Sequence, residues 1–170
     1  MQTQLYFFIS VAFSFVVWGM VAARYIWPAL RRRSQAESLR PLLIFNSFRF
    51  LGLAFLIPGV VSPDLPLTFA RDAAYGDLLA GMLALLSLLL LESNAGIAMT
   101  WVFNVWGAAD LLNAFYQGFH GGLKAGQLGA LYFIPSFGVP LFLIVHVLVF
   151  RILLRRQSEA VATALAVHSS

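Results

Sequence analysis

Residues 41–61 read PLLIFNSFRFLGLAFLIPGVV, an apolar run with a single charge, Arg49, set inside it. A bilayer's hydrocarbon core is about 30 Å thick and a helix rises about 1.5 Å per residue, so about 20 such residues make one crossing. An ionised guanidinium costs roughly 2.5 kcal/mol or more at the centre of a crossing. By default such a residue is paired, wetted or facing a ligand. Arg49 is therefore the first candidate for a functional site, and the stretch around it reads as a transmembrane helix, with Pro41 suited to a first helical turn.

Four further stretches of similar character flank it. We expect spans at about 5–30, 41–61, 73–91, 95–119 and 128–154, with the third and fourth separated only by Glu92-Ser93-Asn94. Merging those two would give one helix far too long for a bilayer. The expectation is an all-α integral membrane protein, a single five-helix domain over residues 1–156. Residues 157–170 would form a polar tail, frayed or at most a short surface helix. The chain opens without a basic segment or a cleavage-type run of small residues, so the first span reads as retained.

Composition agrees. Of 170 residues, 61% are hydrophobic and 11% charged, and the mean hydropathy is +0.85. Soluble domains carry about 25% charged residues. The high isoelectric point reflects few acids, so nucleic acid is not an expected partner. No cysteine is present, which removes thiol redox chemistry, thiolate metal sites and disulfides.

Basic residues in short loops set orientation. Arg31, Arg32, Arg33 and Arg40 lie between the first two spans, and Arg155 and Arg156 follow the fifth; Arg71 and Lys124 lie on the opposite side. Six against two predicts an outside N-terminus and a cytoplasmic C-terminus. The location would be the cell membrane, multi-pass, and the inner membrane in a bacterium.

Two polar layers follow from residue counting. Arg49, Asn104 and His146 each fall about 12 Å from the cytoplasmic boundary, joined by Asn46 and the shallower Arg24. Arg24 has a second reading, snorkelling to the interface. An outer layer is drawn from the fourth span, where Trp106, Asp110, Asn113 and Gln117 share one helix face. Asp77 lies at a comparable height, with Tyr75, Tyr116 and His120 nearby. Arg49 and Asp110 differ by about 10 Å in height on this count, and both side chains should lean toward the cytoplasm. A direct pair would need helix tilt. Each layer also has a plain reading as hydrogen-bonded glue between helices.

Pro135 and Pro140 deprive the carbonyls of Leu131 and Ser136 of their helical partners, which predicts a kink or unwound turn in the fifth span. Trp18, Trp101 and Trp106 lie at depth, to pack or to line a pocket. Gly52, Gly81 and Gly107 permit close helix approach.

Most cofactor chemistry is excluded. His120 and His146 belong to opposite leaflets, which speaks against a two-histidine haem. The one lysine, Lys124, is in a loop, so no retinal Schiff base is expected. HExxH, Walker-type and GxSxG motifs are absent. We expect no metal and no cofactor.

The leading functional expectation is a bundle that binds or transports a small amphipathic or anionic-headed molecule. Its site would draw on Arg49, Asn46, Asn104, His146, Trp101, Trp106, Asp110, Asn113 and Gln117. Two alternatives stand beside it. One is a lipid-modifying enzyme using Asp110 or His146 as acid or base. The other is an accessory subunit whose polar faces meet a membrane partner or another copy of the chain. The lipid bilayer and a lipid-like ligand are the expected partners.

Overall fold

The computed structural model of the protein describes residues 2–168, and the side chains of residues 2–155. Five helices are long and apolar enough to cross a membrane. They are α1 (Gln2–Leu30), α2 (Gln35–Leu56), α3 (Leu67–Leu89), α4 (Asn94–His120) and α5 (Val139–His168), the last entered through a π-helical turn, Ile134–Gly138. We call the end of the bundle where α1 begins the upper end. The charged turn 31–34 and the α3–α4 turn lie at the lower end.

The departures from expectation have local causes. α2 begins six residues before Pro41 because Ser34 and Glu37 form a capping box: Glu37 N–H donates to Ser34 Oγ at 3.3 Å, and Ser34 N–H donates to Glu37 Oε2 at 3.0 Å. Its upper part, Phe48–Leu56, winds as a 3₁₀ helix, and the buried residues there are Arg49, Gly52 and Phe55. That spacing of three matches a winding of three residues per turn, so the three stack on one straight stripe. In α1, Pro28 offers no N–H to the carbonyl of Arg24, and the chain widens into a π turn at Ala22–Ile26.

The kink expected near Pro135 and Pro140 is present. A 3₁₀ segment, Ala125–Tyr132, breaks at Gly129 (φ 54°) and passes into the π turn before α5. Gly129 also meets the Val60 carbonyl so closely that a Cβ there would collide with it. Below this point α5 continues to His168, where the sequence had suggested a frayed tail or a short surface helix. No Gly or Pro follows Pro140, and the final segment is rich in helix-forming alanine.

α3 occupies the centre, between α2 and α4, and α5 packs on both α2 and α4. Every buried residue of α3 is small: Ala70, Ala74, Gly76, Ala80, Gly81, Ala84 and Ser87. Small residues let helix backbones approach without a hydrophobic driving force from water. α1 stands outside this group and leans on α5 and its π turn. Most of its surface is open, with Phe13 70% exposed. Exposed apolar area on this scale fits lipid contact and would be unusual on a soluble monomer.

Two apolar cores result. The lower one is built on Leu39, Leu43, Phe103, Val149 and Leu153, and the upper one on Phe55, Ala74 and Leu128. Loop 57–66 caps the upper end by pairing with the 3₁₀ segment: Ser62 N–H donates to the Gln127 carbonyl at 3.0 Å and Ala130 N–H to that of Val60 at 2.9 Å. Gln4 fastens α1 to the same cap, accepting from Ala125 N–H at 3.0 Å.

Candidate functional site

Between the two cores lies a cluster centred on Arg49, whose side chain is 0% exposed. Its Nε donates to Asp77 Oδ1 at 2.7 Å. Nη2 donates to Asp110 Oδ2 at 2.6 Å and lies 2.6 Å from Asp77 Oδ1. Nη1 donates to the Gly107 carbonyl at 3.1 Å. The Phe142 ring lies over the guanidinium, 5.8 Å from its central carbon. One side chain of α2 thus joins α3 and α4, and α5 closes over it.

The pair that residue counting disfavoured forms because the Arg49 side chain climbs. Gly81 packs against the backbone of residues 47–50, whereas Gly76 packs against Asp110. These contacts put the Asp110 carboxylate about five α3 residues above the backbone of residues 47–50, roughly 7.5 Å. Asp77 sits one turn above Gly81, and Arg49 extends upward to reach it. The assumption that failed was the side-chain direction, since the 3₁₀ winding around Arg49 departs from α-helical geometry.

Three glycines make room for the cluster. A Cβ on Gly52 would collide with the Asp77 carboxylate, and one on Gly76 with that of Asp110. A Cβ on Gly107 would lie 2.9 Å from both Arg49 Nη1 and His146 Nε2. The last contact shows that His146 crowds the same point.

His146 is held from the other side. Asn104 Nδ2 donates to the His146 carbonyl at 3.2 Å, which turns Asn104 Oδ1 toward the ring, 2.7 Å from His146 Nδ1. The amide orientation assigns the proton to Nδ1. Nε2 is left as a buried acceptor with no hydrogen-bond partner among the described residues. Arg49 thus joins the two expected layers by pairing with Asp77 and Asp110, while the Asn104–His146 pair lies beside that cluster without a hydrogen bond to it.

Asp77 and Asp110 keep 14% and 13% of their side chains exposed, and both line a cavity of about 70 Å³ above the cluster. A single water needs about 10–15 Å³ on this scale, so the space suits several waters or a short chain. Its walls are aromatic, with Phe7 and Phe8 from α1, Phe55 and Phe69 from α2 and α3, and Phe115 and Phe119 from α4. Among the described residues lining it, Asp77, Asp110 and Gln4 carry the polar groups and none is basic. Phe8 and Phe119 stack face to face at 5.4 Å. On their far side a wider vestibule of about 570 Å³ opens between the upper ends of α1 and α4.

Of the residues singled out from sequence, Arg49, Asp110, Asn104 and His146 come together. Asn46 is fully buried but turns back on its own helix, donating to the Leu42 carbonyl at 2.9 Å, with Oδ1 unpartnered among the described residues. Gln117 donates to Asp72 at 3.2 Å near the upper end, beside the exposed Asn113. Trp106 is 44% exposed on the outer surface of α4, and Trp101 packs against Phe150 away from the cluster. Arg24 is exposed on α1. Asp77, named only as a neighbour of Asp110 in height, proves to be a full partner of Arg49. Phe142 and Gly76 carried no sequence signal.

Each nitrogen of Arg49 already has a protein acceptor, which leaves few N–H groups for an anionic head group. Removing one partner of a buried ion cluster costs about 3–5 kcal/mol because a charge is stranded. The intact cluster adds little net stability, since desolvation offsets its attraction. An arrangement of this cost, set beside a cavity, is the strongest candidate site in the molecule.

The chain belongs to the family described as a domain of unknown function, DUF8737, which matches residues 6–154. No curated protein and no solved structure matches it.

Proposed function

We propose that this member of the DUF8737 family binds, or carries across a bilayer, a small amphipathic molecule held in the cavity above Arg49. The observation that carries the reading is the combination of six phenylalanine walls with a floor formed by Asp77 and Asp110. Binding sites typically pair a mainly apolar lining with a few converging polar groups. Polar groups at this depth are costly enough to call for a role. The route in runs from the vestibule past the stacked Phe8 and Phe119, both of which line both spaces.

The same reading places the protein in the cell membrane as a multi-pass bundle, N-terminus outside. The excess of basic residues at the lower end supports this orientation. There Arg40 pairs with Glu92, and Arg155 donates to the Arg31 carbonyl at 3.1 Å. The cavity would then open toward the outer leaflet.

Native mass spectrometry of the full chain, released from mild detergent, tests the proposal. The expected result is a reproducible small adduct on the wild type that disappears in Ala114→Trp, which fills the cavity while keeping every residue of the ion cluster. A wild type with no adduct, or an adduct kept by the filled variant, would overturn it.

A further inference from the structure

We propose that the molecule held in the cavity carries a cationic head, as a short alkylammonium-type amphiphile does; this rests on the binding reading above and specifies the ligand class.

Charge comes first. One guanidinium and two carboxylates sum formally to 1 − 2 = −1. In a region of low dielectric an uncompensated charge is expensive. A single monocation brings the sum to zero. An anionic head would raise it to −2 and meet few uncommitted donors, and a neutral head would leave it uncompensated.

Hydrogen-bond inventory points the same way. Arg49 spends its nitrogens on Asp77, Asp110 and the Gly107 carbonyl. No donor among the described residues reaches Asp77 Oδ2 or Asp110 Oδ1. On the opposite side of the guanidinium, His146 is 1% exposed and its Nε2 is also an acceptor without a donor. Acceptors outnumber donors around Arg49, so the missing component is a donor with positive charge. An ammonium supplies three N–H groups on one compact centre.

The surroundings match the rest of such a molecule. Phenylalanine faces accommodate an alkyl chain and attract a cation through their ring quadrupoles. The 70 Å³ cavity admits a thin chain and a primary ammonium more readily than a bulky quaternary head.

The test is a titration of the full-length protein in detergent with hexylammonium, hexanol and hexanoate, followed by calorimetry. Wild type should bind hexylammonium about tenfold or more tighter than hexanol, and hexanoate not measurably. Asp110→Asn brings the formal sum to zero, and should erase the advantage of hexylammonium over hexanol. Asp77→Asn, which makes the same charge change, serves if the first variant does not fold. Ala114→Trp should abolish binding of all three. Hexylammonium binding no tighter than hexanol in the wild type overturns the cationic class alone, provided that Ala114→Trp still removes hexanol. Binding of none of the three, or hexanol binding that Ala114→Trp does not affect, overturns the cavity reading itself.

Discussion

Arg49 Nη2 lies 2.6 Å from an oxygen of Asp77 and 2.6 Å from one of Asp110, so one guanidinium ties three helices at a single point. Asp77 and Asp110 belong to antiparallel helices, and each carboxylate rests in the space of a missing side chain, at Gly52 and Gly76 respectively. The charge pattern and the glycine pattern are therefore one feature.

Removing the guanidinium should be the most damaging single change at the site. Arg49→Gln leaves two carboxylates close together with no cation, a loss of about 3–5 kcal/mol. Arg49→Lys should recover little, because an ammonium cannot reproduce the planar fork that meets Asp77, Asp110 and Gly107 together. Thermal unfolding in detergent measures both. Adding Asp77→Asn and Asp110→Asn to Arg49→Gln should restore part of the stability; no recovery would mean that the two carboxylates do not depend on Arg49.

The glycines offer a graded series. Gly76→Ala, Gly52→Ala and Gly107→Ala should each cost about 1–3 kcal/mol through overpacking. Gly19→Ala, with open space around it, should be neutral or stabilising by up to about 1 kcal/mol, as expected for removing glycine from a helix interior. Equal melting temperatures across all four variants would contradict the packing described here.

His146 should carry its proton on Nδ1. The ¹⁵N shifts of its imidazole, measured on labelled protein, should report that tautomer in the wild type. Asn104→Ala removes both contacts to His146, and should cost about 1–3 kcal/mol for buried groups left unpaired and release the tautomer to a mixture. A wild-type ring protonated on Nε2 would contradict the Asn104 geometry.

Because the chain has no cysteine, single-cysteine labelling gives a clean topology measurement. Arg32→Cys at the lower end and Gly126→Cys at the upper end should react from opposite sides of a sealed membrane, Gly126→Cys from outside. Labelling of both from one side would refute a bundle that crosses the bilayer in this register.

Much of the architecture was legible because long apolar runs bounded by polar turns read directly as long helices: the five apolar stretches, the short Glu92–Asn94 turn and the break near Pro135 all follow from run length and backbone chemistry. The start of α2 was also legible, in the Ser34–Glu37 spacing, but Pro41 offered a competing start that the capping box overrode. Arg49 was found by its cost, while its partners were misjudged. Height counting assumes uniform α-helical rise and a fixed side-chain lean, and the 3₁₀ winding of Phe48–Leu56 violates both. The exposure of Trp106 and the position of α1 outside the central group depend on which helix meets which, and the period of one helix does not carry that information.

The most direct measurement is photo-crosslinking with a short alkylamine bearing a diazirine near the end of its chain, mapped by mass spectrometry of the digested protein. Our account predicts labelling concentrated on the walls at Phe8, Leu111, Phe115 and Phe119, lost in Ala114→Trp. Labelling confined to the outer surface, at residues such as Phe13, Val102 and Trp106, and unchanged in that variant, would contradict it.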